Sequence, residues 1–148
     1  MKSETLKNED MMALIRDAME NNQKAIMRVQ GSSMFPFLWH NKTNITLIPK
    51  EGMKKGDIIL FKLNDRYRLH RIIKMKYPYL IAKGDALVSK EFLVADDVIG
   101  RVESYEINNK VRNPRSCSHK LLLIAWRLIK PLYAYPRRLY ACIRKTDL

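Results

Sequence analysis

The chain has 148 residues, enough for one domain with a hydrophobic core and too few for two ordinary domains. Apolar residues make up 47% and charged residues 29%, a balance that excludes a disordered or fibrous chain, and two cysteines, Cys117 and Cys142, are too few for a disulfide scaffold. The net charge of +13 is concentrated near the C-terminus, because residues 110–145 hold ten Lys or Arg and no acid.

The predicted elements run from one helix through six strands to a second helix. Residues 8–22 show apolar residues at helical spacing after Asn8, a suitable N-cap. Short β-type runs bounded by turn residues follow, and the predicted strands are 25–30, 44–48, 57–63, 67–74, 79–82 and 98–107. We therefore expect a mainly β fold with a small, curved, antiparallel sheet. It divides into an N-terminal helix at 1–23, a β core at 24–110 and a basic helical tail at 111–148.

The tail is predicted to begin a helix near Ser116 or Ser118 and to be interrupted at Pro131 and Pro136. Its longest uncharged run before Arg127 is six residues, whereas a membrane-spanning helix needs about 20 mostly apolar residues. The N-terminus resembles no secretory signal. We expect a cytoplasmic protein without a transmembrane anchor.

The sequence leaves two alternatives for the tail. In one, the helix packs Leu122 and Ile129 on the sheet and turns its charges to water. In the other, residues 113–148 lie peripherally on an anionic membrane surface, such as the inner membrane face, because aromatic residues alternate with the bases. Those aromatic residues are Trp126, Tyr133, Tyr135 and Tyr140.

The sequence Gly-Ser-Ser-Met-Phe-Pro at 31–36 directly follows a predicted strand. A serine in such a turn is often only a turn residue. A nucleophilic serine, however, needs a tight turn that exposes its hydroxyl, backbone N–H groups that face the developing oxyanion, and a base. This stretch provides the first two requirements.

Three histidines are candidates for the base. We interpret His40 and His119 as ordinary surface groups. His70 lies inside a predicted strand, where structural histidines are also common, and Asp85 follows 15 residues later in a Gly-Asp turn. Neither feature alone indicates a function.

Three motifs occur together in a fixed order: Ser-Met-x-Pro at 33–36, His-Arg-Ile at 70–72 and Gly-Asp-Ala at 84–86. In this order they resemble the serine peptidase superfamily that joins type I signal peptidases with self-cleaving LexA-like repressors. The stretches 55–61 and 100–102 resemble the Gly-Asp strand and the closing strand of that superfamily. The resemblance covers about residues 24–108 and implies a core like that of LexA and signal peptidases.

The resemblance implies a role for each motif residue. Ser33 would be the acylated nucleophile and His70 its base, as in the histidine-type members, and Asp85 would hold the imidazole tautomer. Gly31 stands where many signal peptidases have a second serine. The oxyanion site would therefore rest on backbone N–H groups, chiefly that of Ser33, with Ser32 as a turn residue. Glu91 is a weak match to a further acid that histidine-type members carry.

Lysine is the rival base, since other members of the superfamily use it. Lys74 shares the His70 face of an ideal strand but lies about 13 Å further along it at roughly 3.3 Å per residue. Lys62 and Lys83 also lie near the motifs and are interpreted as solvated. Histidine needs little or no pKa shift to act near pH 7, so His70 is preferred.

We therefore predict a serine endopeptidase that cleaves a peptide or the leader of a precursor protein without cofactor or metal. The substrate would add to the sheet as a strand. Met34, Phe35 and Phe37 either line this site or belong to the core. The alternative is a non-catalytic module that binds a membrane surface or nucleic acid through the tail, with no specific nucleic acid expected. A self-cleaving DNA-binding regulator is not predicted, because only about 23 residues precede the first strand.

Overall fold

The structure is a computed structural model that describes the backbone of residues 2–143 and the side chains of residues 8–132. Its internal contacts divide the chain into two units, Met1–Pro114 and Arg115–Leu148. Within residues 2–143, the first unit contains one α-helix and eight strands, and the second contains one α-helix. The aromatic residues predicted to face a membrane at 133, 135 and 140 lie outside the described side chains.

The first unit begins with a helix and continues as a sheet. Its elements are α1 (Lys2–Glu20), β1 (Ala25–Arg28), β2 (Asn44–Ile48), β3 (Ile58–Leu63), β4 (Arg66–Lys76), β5 (Tyr79–Lys83), β6 (Glu91–Val94), a 3-10 turn (Ala95–Asp97), β7 (Val98–Ile107) and β8 (Lys110–Arg112). The strands run in the order β1-β2-β7-β3-β4-β5-β6, and β8 pairs with β7. Every pairing is antiparallel, so the predicted mainly β fold is confirmed.

β3 lies inside the sheet between β7 and β4, and its sequence explains this position. Ile58 and Leu60 join one hydrophobic cluster, whereas Ile59 and Phe61 join a second. Alternate residues of a strand point to opposite faces, so four consecutive apolar residues allow a strand to be buried on both faces. Both clusters therefore meet along this strand.

α1 covers the first cluster through Met12, Ile15 and Met19, which are buried and spaced three and four residues apart. This spacing places the three side chains on one side of the helix. The helix begins six residues before the predicted start at 8 and ends two residues before the predicted end at 22. Helix ends are the least constrained part of such a prediction.

Two tight turns organise the hairpins of the sheet. Asn64 and Asp65 join β3 to β4, and Asn108 and Asn109 join β7 to β8. All four have positive φ, between 50° and 59°. Two consecutive left-handed residues form the type I′ turn that matches the twist of a hairpin, and Asn and Asp tolerate this conformation.

The second unit consists of α2 (Cys117–Ile143), which begins where the sequence predicts. The prediction that Pro131 and Pro136 interrupt the helix is wrong, because the helix runs through both. Each proline removes only one N–H from the hydrogen-bond ladder, and the bonds of its neighbours can carry the helix across it. Leu122 and Ile129 are 47% and 44% exposed. Within the described part of the chain, no helix is both long enough and apolar enough to cross a membrane.

Candidate active site

The serine turn follows β1 and is held by the loop that comes after it. The N–H of Val29 donates to the carbonyl of Thr43, and the N–H of Asn41 donates to the carbonyl of Val29, both at 2.9 Å. Gly31 has a φ of 87°, which favours glycine, and its N–H donates to Nδ1 of His40 at 2.8 Å. His40 is exposed, as predicted, and also helps to shape this turn. The prediction that His119 is a surface group is wrong, because His119 is buried.

The serine turn contacts the Gly-Asp-Ala turn directly. The N–H of Ala86 donates to the carbonyl of Ser33 at 2.9 Å. A Cβ atom at Gly84 would lie only 2.6 Å from the same carbonyl oxygen, so this close approach needs glycine. Two motifs that are separated by about 50 residues in the sequence thus lie side by side.

A buried ion pair ties the Gly-Asp-Ala turn to β4. Arg71 donates from Nε to Oδ1 of Asp85 at 2.9 Å and from Nη2 to Oδ2 at 2.8 Å. Its Nη1 donates to the carbonyl of Gly56 at 2.8 Å. Both charged side chains are buried, and the bidentate geometry compensates part of their desolvation cost. His70 is the neighbour of Arg71 in β4, so its backbone lies close to this pair, but its side chain points to the opposite face of the sheet, where it packs on Phe61.

His70 is buried in the sheet, where it lies opposite Ile59 of β3 and packs edge-on against Phe61 with ring centroids 5.6 Å apart. Nδ1 of His70 lies 2.8 Å from Oε2 of Glu91, the first residue of β6. Neither of these two atoms has a hydrogen bond of good geometry among the described residues, so the contact is a close approach rather than an aligned hydrogen bond. Oε1 of Glu91 pairs with Nη1 of Arg68.

The surroundings of His70 favour its neutral form. Burial lowers the pKa of His70 from 6.5 to about 4. The positive charge of Arg68 acts in the same direction, and the negative charge of Asp85 acts against them. A neutral imidazole at pH 7 is the state that can accept a proton.

The structure corrects the expected partner of His70. The carboxylate that touches its ring is that of Glu91, whereas the Asp85 carboxylate is engaged by Arg71 and affects His70 through its charge. The contact was hard to foresee because β6, which begins at Glu91, is only four residues long and was not predicted. Asp85 positions the turn against Ser33 and Arg71.

Ser33 itself is half-buried. Neither its hydroxyl nor its N–H has a hydrogen-bond partner among the described residues, so the bond between Ser33 and His70 is not formed in this structure. Hydrogen bonds between a nucleophile and its base are often long in free enzymes and tighten only with substrate. The free N–H is of the kind that an oxyanion site needs.

The rival lysines occupy other surroundings. A lysine base must be desolvated to lose its proton near pH 7, but Lys74 is exposed. Lys62 pairs with Asp65 at 3.3 Å and lies over the ring of Tyr67. Lys83 is half-buried in β5. Of these three residues, none makes a described contact with Ser33.

The apolar residues after Ser33 divide between the two predicted alternatives. Met34 and Phe37 are buried, and Met34 belongs to the first hydrophobic cluster. Phe35 is exposed and packs against the exposed Trp39 with ring centroids 5.7 Å apart. The buried residues anchor the turn, which leaves Phe35 and Trp39 as an aromatic surface next to it.

An apolar groove of about 330 Å³ lies beside α1, β1 and the start of β4, and Met11 and Met12 of α1 are among its lining residues. Its lining ends at Gln30 before the serine turn and at Leu69 before His70, and it includes neither Ser33 nor His70. Met27, Val29 and Gln30 line one side, and residues 66–69 of β4 line the other. Among the described strands, β1 pairs only with β2, and residues 66–70 of β4 pair only with β3. Two strand edges with unpaired backbone groups therefore border the groove. A larger polar depression of about 510 Å³ includes none of Ser33, His70 and Glu91.

No cluster of three or more histidine, cysteine or acidic residues that could hold a metal ion occurs in the described part of the chain. No protein-family model and no curated protein matches this chain. The interpretation of the site therefore rests on its own geometry and on the motif resemblance.

Proposed function

We propose that this chain is a serine endopeptidase in which Ser33 is the nucleophile and His70 the base. One observation carries the proposal. The carbonyl of Ser33 is hydrogen-bonded to the turn whose Asp85 is paired with Arg71, the neighbour of His70. These contacts join the segments that carry Ser33, Asp85 and Arg71, and they support the proposal that the three motifs belong to one site.

The chemistry follows from these groups. Oγ of Ser33 attacks the carbonyl carbon of the substrate while His70 takes its proton, and the N–H of Ser33 stabilises the oxyanion. The C–N bond then breaks, His70 gives the proton to the leaving amine, and an acyl-serine remains. Water, deprotonated by His70, attacks the acyl carbon, and the bond between that carbon and Oγ of Ser33 breaks. His70 returns the proton to Oγ, and the carboxylate product leaves.

Glu91 is the residue that we assign to hold the imidazole. Its carboxylate lies 2.8 Å from Nδ1, and a small rotation of the ring that aligned Nδ1–H with it would leave Nε2 as the ring nitrogen for proton transfer. Arg68 holds the other carboxylate oxygen. A negative charge beside Nδ1 stabilises the imidazolium that forms when Ser33 attacks.

The groove supports an extended peptide as the substrate. Its two unpaired strand edges can pair with the backbone of a peptide that enters as an added strand. The apolar lining at Met27, Val29 and Leu69 suits apolar side chains at alternate positions of that peptide. A peptide or the leader of a precursor protein that binds in this extended form is the proposed substrate.

The test is a digest of an unbiased mixture of peptides, followed by mass spectrometry of the new termini. We expect cleavage by the unchanged chain and by Ser32→Ala, and loss of cleavage in Ser33→Ala with an unchanged thermal unfolding curve. Cleavage by Ser33→Ala at the original rate would refute the assignment. An acyl adduct located on any residue other than Ser33 would refute it as well.

A further inference from the structure

One side of α2 carries apolar side chains that are exposed to solvent. They recur at spacings of three and four residues, which places them on one side of a helix. We call this surface the apolar stripe; it consists of Leu121, Leu122, Ile124, Leu128, Ile129 and Leu132. Four of the six are more than half exposed, including Leu128 at 74%. A monomeric protein rarely leaves a continuous apolar surface of this kind in water.

Basic residues occupy the other side of the same helix. Lys120, Arg127 and Lys130 are separated by seven and three residues, so they share a side that is distinct from the apolar stripe. No acid lies anywhere between residues 110 and 145. Trp126 falls between the stripe and these bases around the helix, a place where an indole can keep its ring in an apolar layer and its N–H in water.

We infer that α2 lies in the plane of an anionic lipid surface, with the apolar stripe at the boundary of the acyl chains. The aliphatic parts of the lysine and arginine side chains can extend away from the acyl chains, so that their charged ends reach lipid phosphates. Each basic residue near such a surface adds attraction that depends on salt. This inference does not depend on the proposed peptidase activity.

The combination of features favours lipid over other occupants. Nucleic acid would engage the bases but would leave the apolar stripe in water. A second copy of the chain could cover the stripe, but it would bring two segments of ten bases together without an acid to compensate them. An anionic bilayer can contact the apolar stripe through its acyl chains and the basic residues through its phosphates. Its interface also suits the indole of Trp126.

The experiment measures flotation of the full chain with vesicles of phosphatidylcholine alone or mixed with phosphatidylglycerol. Ile124→Gln/Leu128→Gln removes apolar contact without a change of charge. Leu14→Gln is the matched control, because Leu14 is also exposed, at 72%, but lies on α1. A third variant changes Lys120, Arg127 and Lys130 to Gln. No peptide substrate is present, so the result is independent of Ser33.

We expect binding to the mixed vesicles and little to phosphatidylcholine, with a loss of about tenfold or more in the stripe variant and in the charge variant. Leu14→Gln should bind as the unchanged chain does. In a Trp39→Phe background, the emission of Trp126 should shift to shorter wavelength on binding.

Three outcomes would overturn the inference. The first is equal binding by the stripe variant and the unchanged chain. The second is a soluble dimer that dissociates when the stripe is changed but shows no affinity for vesicles. The third is binding to nucleic acid or to an acidic protein that is lost in the stripe variant while vesicle binding is absent.

Discussion

At the scale of single residues, the burial of His70 makes the stability of the folded chain depend on pH. An unfolded histidine has a pKa near 6.5, whereas burial lowers the pKa of His70 to about 4 in the folded chain. As the pH falls below 6.5, the unfolded state therefore binds a proton before the folded state does. The stabilising contribution is complete above pH 6.5 and is lost progressively as the pH falls from 6.5 toward 4.

The prediction is a loss of unfolding free energy of about 2 kcal/mol between pH 7 and pH 5 that is specific to His70. It is measured by urea unfolding at both pH values. His70→Gln should abolish this part of the pH dependence, and His40→Gln should retain it. Carboxyl groups that titrate in the same range affect all three chains alike. An unchanged pH dependence in His70→Gln would contradict the burial argument.

The two carboxylates near His70 illustrate what sequence can and cannot specify at this scale. The motif order pointed to Ser33, His70 and Asp85, and the structure does bring their segments together. The motif order did not specify which acid contacts the ring of His70. Asp85 is next to a glycine in a tight turn, but a buried guanidinium at Arg71 competes for its charge. Such competition depends on tertiary contacts that spacing along the chain does not reveal.

At the scale of elements, the Arg71–Asp85 pair joins β4 to the turn that holds the carbonyl of Ser33. Asp85→Asn would leave a buried guanidinium without its counter-charge, and we expect a loss of about 3–5 kcal/mol in the free energy of unfolding. Glu91→Gln leaves Arg68 without its partner, but the Arg68 side chain is 36% exposed and can be solvated, so the effect on unfolding should be smaller.

The rate of peptide cleavage distinguishes the role of Glu91 from that of Asp85. For Glu91→Gln we expect a lower rate under conditions where the chain is fully folded, because the imidazolium loses its neighbouring charge. Arg71→Met/Asp85→Leu should regain stability relative to Asp85→Asn, since no unpaired charge remains. If Asp85→Asn slowed cleavage without loss of stability and Glu91→Gln left cleavage unchanged, the orienting role would belong to Asp85.

The strands show why some elements were predictable and others were not. β2 and β7 match their predicted bounds, and β3, β4 and β5 differ by one or two residues at their ends. These strands combine apolar residues with clear turn signals. β6 has four residues and β8 has three exposed ones, Lys-Val-Arg, so neither carries a hydrophobic pattern long enough to identify. β6 forms by pairing with β5, and β8 forms by pairing with β7.

At the scale of the whole molecule, all strands and both hydrophobic clusters fall within residues 1–114. α1, the sheet and the loop that follows β1 supply buried side chains of this unit, and the residues proposed for catalysis belong to it as well. The charge, in contrast, is concentrated in the remaining residues. The core and the residues proposed for catalysis therefore lie in one stretch of the chain, and the helix proposed to contact lipid lies in another.

This separation predicts the behaviour of a chain shortened to residues 1–114. We expect it to unfold in a single cooperative transition, because a domain of this size with its own core is normally two-state. It should also cleave the peptides that the full chain cleaves, but it should no longer float with anionic vesicles. Circular dichroism melts, the peptide digest and the flotation assay measure these three properties. A gradual melt without a transition would show that the core needs residues beyond 114, and retained flotation would place the lipid contact in the first unit.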